Sequence, residues 1–351
     1  MYATAPDLLR LAIVPVLAWA ALRDVRTRRL PNRIWPPLYA LGAVCLLWES
    51  ALRWPLSGLD GRLFLVRIAI SLLFVAPLGI GFWYVGGFGG ADAKALAAIA
   101  IVLPTYPSYV LPVAGIPALP AVETHVGVFS LTVLTNTVLI GVCYPIGLGV
   151  YNALRGRFSA AMFLARPVDV ERLPDLHGRL FETREGYTRR GLDLDALRMY
   201  LRWRGLTLAA VLEEPDRYRD PETVDETFDP TDGGTHLEPA TDGGEGPEKP
   251  GSEPKPESEP DSEPEPNPDM NPEPDPDPWA AERFLASIEG SAYGTDPGTL
   301  REGLETVCEP DRDRVWVSPG MPFVVPMFLG LVVSLTYGDA LFAFLRAIGL
   351  V

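Results

Sequence analysis

Long apolar runs constrain this chain more than any other feature of its sequence. They fill most of residues 8–150 and return at 321–350. A helix needs roughly 20 mostly apolar residues to cross a hydrocarbon core of about 30 Å. We therefore expect an all-α membrane protein with six transmembrane helices embedded in a lipid bilayer. The six candidate segments lie near residues 6–22, 34–51, 63–85, 93–112, 126–150 and 321–346.

Positive charge predicts the orientation of these helices. Five arginines lie between Arg23 and Arg33, directly after the first apolar segment, whereas residues 104–125 contain no lysine or arginine. The segment after the fifth helix again begins with basic residues such as Arg155. Since lysine and arginine concentrate in cytoplasmic loops, both termini are predicted outside the cell membrane. The large 151–320 segment is then cytoplasmic, between helices 5 and 6.

Composition divides the chain further. Residues 213–278 hold 23 of the 45 acidic residues, 4 of the 30 basic ones and 16 of the 36 prolines. Such a stretch cannot bury a core, so we expect a disordered acidic tract. The domain prediction is transmembrane helices 1–5 in residues 1–150, a small cytoplasmic domain in 151–212 and 279–317, and helix 6 in 318–351. Within that domain, a helix is predicted to start near Asp193.

The remaining composition excludes several classes of site. The three cysteines are far apart and form no CxxC pair, and the three histidines are also scattered. Neither a zinc module, a disulfide framework nor another metal or cofactor site is indicated. The acidity is confined to one tract and gives no support for a nucleic-acid partner. Lysine is scarce, with 3 residues in the chain, which suits a salt-adapted organism or reflects a GC-rich genome.

Two acids fall at the same predicted membrane level. Asp24 ends the first helix and Asp92 begins the fourth, both at the cytoplasmic side. Ionisable groups in membrane segments are costly and usually face protein or water. Two neighbouring carboxylates share a proton, so one can act as a general base while the other acts as an acid. Gly89 and Gly90 permit close approach, and Lys94 is interpreted as a positive-inside charge.

Structural interpretations of these residues stay open. Asp24 is also suited to an interfacial anchor, and Asp92 to a helix cap. Asp339 lies near the outer end of the sixth helix, where a structural or interfacial role is favoured. The Pro31-Asn32 step ends a loop, with Asn32 as a natural cap of the next helix.

Three stretches of the sequence resemble a known family. DVRTRRLPN (24–32) is similar to the first catalytic motif of prepilin peptidases, and GGADAK (89–94) to the GxGD motif of intramembrane aspartyl proteases. Residues 318–339 resemble the last helix of archaeal members. The resemblance implies an archaeal, haloarchaeal-like type IV prepilin or preflagellin (archaellin) peptidase. Such enzymes remove a short basic leader from pilin-like precursors at the cytoplasmic membrane face.

The resemblance also implies roles for individual residues. Asp24 and Asp92 would form the catalytic dyad, without a metal or cofactor. Bacterial relatives often carry a cysteine-rich cytoplasmic segment and methylate the new N-terminus; this chain lacks such cysteines, so we expect peptidase activity without N-methyltransferase activity. Ala91 stands where the family motif has glycine. The residues that would support the motifs are Gly89, Gly90, Ala91, Pro31 and Asn32.

Two other functions remain as alternatives. An ion-coupled multi-pass transporter would also use intramembrane carboxylates, although it would favour inverted repeats and acids at mid-depth. A membrane scaffold for the 151–320 segment would need neither aspartate.

Overall fold

The computed structural model describes residues 3–28, 30–85, 87–110, 118–231, 233, 277–288, 292–310, 312–320 and 322–350. Most of their secondary structure is helical. The helices are α1 (Ala5–Arg10), α2 (Ile13–Thr27), α3 (Trp35–Leu52), α4 (Gly58–Ile70), α5 (Ala76–Tyr84), α6 (Gly90–Val102), α7 (Phe129–Leu154), α8 (Leu194–Trp203), α9 (Leu208–Glu213), α10 (Pro215–Arg219), α11 (Ala281–Ala286), α12 (Pro297–Val307), α13 (Val324–Thr336) and α14 (Ala340–Ala347). The strands are β1 (Arg166–Asp169), β2 (Arg179–Leu180), β3 (Glu182–Thr183), β4 (Gly186–Tyr187) and β5 (Arg314–Ser318).

The chain divides into two compact units. Unit 1 comprises Met1–Leu164 and Gly320–Val351, and unit 2 comprises Ala165–Pro319. The fifth predicted helix corresponds to α7, which continues past residue 150 to Leu154. Unit 1 then extends to Leu164. The turn that follows folds back on α7, where the Asn152 side-chain amide donates to the Met162 carbonyl at 2.7 Å.

Helix α6 is the central helix of unit 1. Its sequence, GADAKALAAIAIV, is rich in alanine, and small side chains let neighbouring helices approach closely. α6 contacts α2, α3, α5, α7 and α13. Its buried side chains run along most of its length: Ala93, Ala95, Leu96, Ala98, Ile99, Ala100 and Val102. The N-terminal end of α6 is therefore fixed by several packed helices.

Three helical stretches in the described part of the chain are long and apolar enough to cross a membrane. They are Ala5–Thr27, Gly58–Tyr84 and Phe129–Leu154. The second runs from α4 through a π-helical stretch, Ser71–Val75, into α5. The predicted fourth span is the 13-residue α6, and the predicted sixth is divided into α13 and α14 at Asp339. These stretches support a membrane protein, while the count of six spans stays a prediction.

Unit 2 combines helices with short strands. β5 is the middle strand of a three-stranded antiparallel sheet between β1 and β2, and β3 pairs with β4 in a separate hairpin. The all-α prediction is therefore wrong for this unit. The strands have two to five residues, too few for a clear alternation of apolar and polar positions in the sequence.

The helices of unit 2 cover an apolar core. α8 follows Asp193, whose side chain accepts a hydrogen bond from the Asp195 backbone N–H at 3.0 Å, which confirms the helix start predicted there. The face of α8 that carries Tyr200 packs on Phe284 of α11, with the two rings at 5.4 Å and nearly perpendicular. The Tyr200 hydroxyl donates to the Trp279 carbonyl at 2.9 Å.

Ordered structure extends into the predicted acidic tract. α10 lies at its beginning, and a 3-10 turn, Pro221–Thr223, follows. The buried Arg204 guanidinium fixes both, because it donates to the Tyr218 carbonyl at 3.0 Å and to the Thr223 hydroxyl at 2.8 Å. The predicted disorder of 213–278 is therefore wrong at its N-terminal end. Residues 234–276, which contain most of the tract, lie outside the described residues.

Candidate active site

Asp24 lies in the last turn of α2, with its side chain buried. The helix ends four residues later, where Arg28 adopts a left-handed conformation with φ of 54° and its N–H donates to the Asp24 carbonyl at 2.9 Å. Left-handed backbone is uncommon for a residue other than glycine. This conformation turns the chain away from the helix axis and leaves the Asp24 carboxylate at the end of α2.

Asp92 lies in the first turn of α6, three residues after the N-cap residue Gly89. Its Oδ2 accepts a hydrogen bond from the Gly89 backbone N–H at 2.9 Å. The carboxylate is thus directed towards the N-terminus of its own helix, where unpaired N–H groups and the helix dipole favour negative charge. The backbone amide of Val324, the first residue of α13, also interacts with this carboxylate.

The structure brings the two aspartates into one site. α2 contacts α6, and the charge of Asp24 acts on the Asp92 carboxylate. The Arg28 guanidinium acts electrostatically on both carboxylates. In the described part of the chain, the site therefore has two acids and one cation, contributed by the end of α2 and the start of α6, with the start of α13 beside them.

Arg28 also connects the site to the segment before α13. Its Nη2 donates to the Gly320 carbonyl oxygen at 2.7 Å. In the sequence, this arginine stands out only as one of the positive-inside charges, and that pattern does not predict its position beside the aspartates. The sequence signal that could have indicated this position is the place of Arg28 within the first motif, four residues after Asp24.

The three small residues of the second motif have different surroundings. A Cβ at Gly89 would lie 3.1 Å from Asp92 Oδ2, a tighter contact than most real Cβ atoms make, so glycine lets the carboxylate fold back on the backbone. At Gly90 the nearest atom to such a Cβ would be Trp83 Nε1 at 3.7 Å, an ordinary contact. Ala91 lies inside α6, where alanine is the most favourable residue for a helix. The helical position thus explains why Ala91 fits without glycine.

Pro31 and Asn32 lead from the end of α2 into α3. Pro31 is extended, with φ of −66° and ψ of 134°, and a 3-10 turn, Asn32–Ile34, follows. The prediction that Asn32 caps the next helix is wrong. Its Oδ1 accepts a hydrogen bond from Lys94 Nζ at 2.6 Å, and α3 begins after Ile34 with no side-chain cap.

Asp339 belongs to a separate polar cluster. Its Oδ1 accepts from the Phe342 backbone N–H at 2.7 Å, which caps α14, and its Oδ2 accepts from the Thr132 hydroxyl at 3.0 Å. Val324, beside Asp92, begins α13, whereas Asp339 follows its end. A helix of 13 residues is about 20 Å long. The structure therefore does not bring Asp339 to the two aspartates.

The described residues contain no group of three or more histidine, cysteine, aspartate and glutamate side chains arranged to hold a metal ion. The arrangement suits acid–base chemistry between two carboxylates, in which one accepts a proton while the other donates one.

Comparison with known proteins gives two matches in this chain. Residues 11–146, which contain both aspartates, match the model of the type IV leader peptidase family. Residues 283–340, which include α13, match the model of the archaeal peptidase A24 C-terminus, type II. A search of curated proteins finds no match. The two family matches indicate a peptidase and do not favour the transporter alternative; they support assignment of this membrane protein to the type IV leader peptidases.

Proposed function

We propose that this chain is a membrane-embedded aspartic endopeptidase that removes the short basic leader from type IV prepilins, prearchaellins or both. The observation that carries the proposal is the meeting of Asp24 and Asp92 in one site, where the charge of the first acts on the carboxylate of the second. Both residues lie within the segment that matches the leader peptidase family.

The chemistry follows from a pair of carboxylates that holds one proton. The ionised carboxylate takes a proton from water as the water oxygen attacks the scissile carbonyl carbon. The protonated partner donates its proton to the carbonyl oxygen, which gives a neutral tetrahedral intermediate. When the C–N bond breaks, a proton passes to the leaving amine. No metal or cofactor is required for these steps.

The location of the site supports a substrate cut at the cytoplasmic membrane face. Asp24 is followed by the arginine-rich connection that predicts a cytoplasmic position, and Asp92 starts α6 at the same end. A precursor held by its own transmembrane helix would present the peptide bond just outside the bilayer. We propose peptidase activity alone, without N-methylation, because no cysteine-rich segment occurs in the sequence.

Leader processing by asparagine variants tests this proposal. Asp24→Asn and Asp92→Asn keep the size of the side chain but remove the acid, so each should lower the processing rate by about 1,000-fold or more. The assay follows the mobility shift of a recombinant type IV prepilin incubated with membranes that contain each variant at equal abundance. Normal cleavage by either variant would show that Asp24 and Asp92 are not a catalytic pair.

Asp339→Asn is the matched control. It makes the same chemical change at a buried aspartate outside the site, and asparagine can still accept the Phe342 N–H bond that caps α14. We expect wild-type processing. A loss as large as that of the other two variants would mean that the assay reports damage to the membrane protein rather than loss of the dyad.

A further inference from the structure

Lys94 contacts the connection that follows Asp24. Its Nζ donates to Asn32 Oδ1 at 2.6 Å, across 62 positions of sequence. Its backbone carbonyl accepts a hydrogen bond from the Tyr39 hydroxyl of α3 at 3.2 Å. The same residue of α6 is therefore bonded through its side chain to the turn before α3, and through its backbone to α3 itself.

The direction of the Lys94 side chain separates it from the reacting groups. Residues two apart on a helix do not face each other, so Lys94 and Asp92 project to different sides of α6. Among the described residues, Asp24 and Arg28 are the charged side chains that act most strongly on the Asp92 carboxylate. Lys94 therefore influences the acids chiefly through the segment that it holds.

That segment is the connection that keeps Asp24 in place. Asp24 lies in the last turn of α2, and the terminal turn of a helix frays unless the residues beyond it are fixed. Asn32 lies eight residues further on, directly after Pro31, whose ring restricts φ. The connection runs from Arg28, directly after α2, to Asn32, before α3. A bond that fixes Asn32 to α6 therefore restrains the far end of this connection.

We propose that Lys94 is a positioning residue, which holds Asn32 against α6 and so keeps Asp24 and Asp92 at their working separation. This inference rests on the proposed function and deepens it. A displacement of about 1 Å at a catalytic group can lower a rate by about 100-fold. Lys94 would then affect the chemical step more than substrate binding.

A double-mutant cycle on Lys94 and Asn32 tests the inference. Lys94→Met removes the ammonium group and Asn32→Ala removes its acceptor. Each should lower kcat for a recombinant prepilin by about 10- to 100-fold, with KM within about twofold of wild type. Because both changes break the same bond, the double variant should be no slower than the slower single variant. Unchanged kcat, or losses that multiply in the double variant, would overturn the inference.

Arg155→Gln distinguishes positioning from charge. Arg155 follows α7, with its guanidinium over the Tyr151 ring, and its loss removes one positive charge from the predicted cytoplasmic face. If Lys94 served only as a positive-inside charge, Arg155→Gln would lower processing as much as Lys94→Met does. We expect wild-type kcat for this control.

Hydrogen exchange gives a second measurement that needs no substrate. In the purified full-length protein, peptides that cover the end of α2 should exchange faster in Lys94→Met than in wild type, while peptides from α7 stay unchanged. Failure of the wild-type protein to cleave the prepilin would refute the proposed function, and the exchange result would still decide whether the bond holds α2. Equal exchange at the end of α2 in both proteins would overturn the inference.

Discussion

Substitution of Gly42 by alanine should push α3 away from α6 and weaken the site. A Cβ at this position would lie 2.8 Å from Ile101 Cγ2 and 2.9 Å from the Val102 backbone nitrogen. Ordinary contacts begin near 3.4 Å, so the helices must separate by about 0.5 Å. Tyr39 lies one turn before Gly42, and its 3.2 Å bond to the Lys94 carbonyl would then exceed the hydrogen-bond range.

The size of the effect follows from two opposing contributions. Overpacking of a well-packed contact costs about 1–3 kcal/mol, and replacement of glycine by alanine inside a helix returns up to about 1 kcal/mol. We expect Gly42→Ala to lower the free energy of unfolding by about 1–2 kcal/mol. It should also lower kcat for leader processing, because one contact that fixes α3 at the site is lost.

Thermal unfolding followed by tryptophan fluorescence, in detergent, measures the first effect. Gly147→Ala is the matched control, since Gly147 also lies inside a helix, α7, and no described residue outside that helix's own backbone stands within 4 Å of its added Cβ. The control should unfold at or above the wild-type midpoint and process prepilin normally. The packing argument would be refuted if Gly42→Ala unfolded at the same temperature as Gly147→Ala or higher.

Three further predictions follow from single contacts. Arg28→Gln removes the donor to the Gly320 carbonyl and the cation beside the aspartates, so prepilin kcat should fall at least about 10-fold; an unchanged kcat would contradict this. Burial raises the pKa of the Cys308 thiol to about 11 from an ordinary value of 9.0. Iodoacetamide at pH 8 should therefore label Cys308 about 100-fold more slowly than a free thiol. Labelling at the free-thiol rate would show that the Cys308 thiol is open to solvent. Arg10→Leu removes the buried guanidinium that pairs with Asp7 at 3.1 Å and with Glu49 at 2.6 Å. Glu49 keeps Arg53, but Asp7 is left as an unpaired buried carboxylate, so the change should cost about 3–5 kcal/mol in unfolding experiments; a wild-type midpoint would refute that.

The charges around the helices are sufficient to predict that the two candidate aspartates lie at one membrane level. Asp24 precedes an arginine-rich connection and Asp92 starts an apolar helix, so orientation alone predicts that they share a face. The structure places them in one site by the packing of α2 on α6. The prediction of a shared face requires no knowledge of which helices contact each other.

Contacts between distant segments could not be predicted in the same way. Asn32 and Lys94 are 62 positions apart, and no periodicity or local propensity relates them. Asparagine is a residue type that often caps helices, and the local sequence of Asn32 suits that role. Its side-chain oxygen instead accepts a hydrogen bond from a lysine of another helix. Tertiary contacts override local preference here, as they do for the strands of unit 2, which are too short to leave a pattern.

The helix-capping contact of Asp92 is compatible with its proposed catalytic role. A carboxylate has two oxygens with about four acceptor positions; the Gly89 N–H occupies one of them, at Oδ2, and the Val324 backbone amide also interacts with the carboxylate. The cap thus fixes the orientation of the carboxylate and leaves acceptor positions for water or substrate. It follows that Asp92→Asn, whose amide oxygen can still accept from Gly89, removes the acid and retains the cap. Asp92→Ala would lose both, with about 1 kcal/mol of helix stability, so a difference in unfolding temperature between the two variants would measure the cap separately from catalysis.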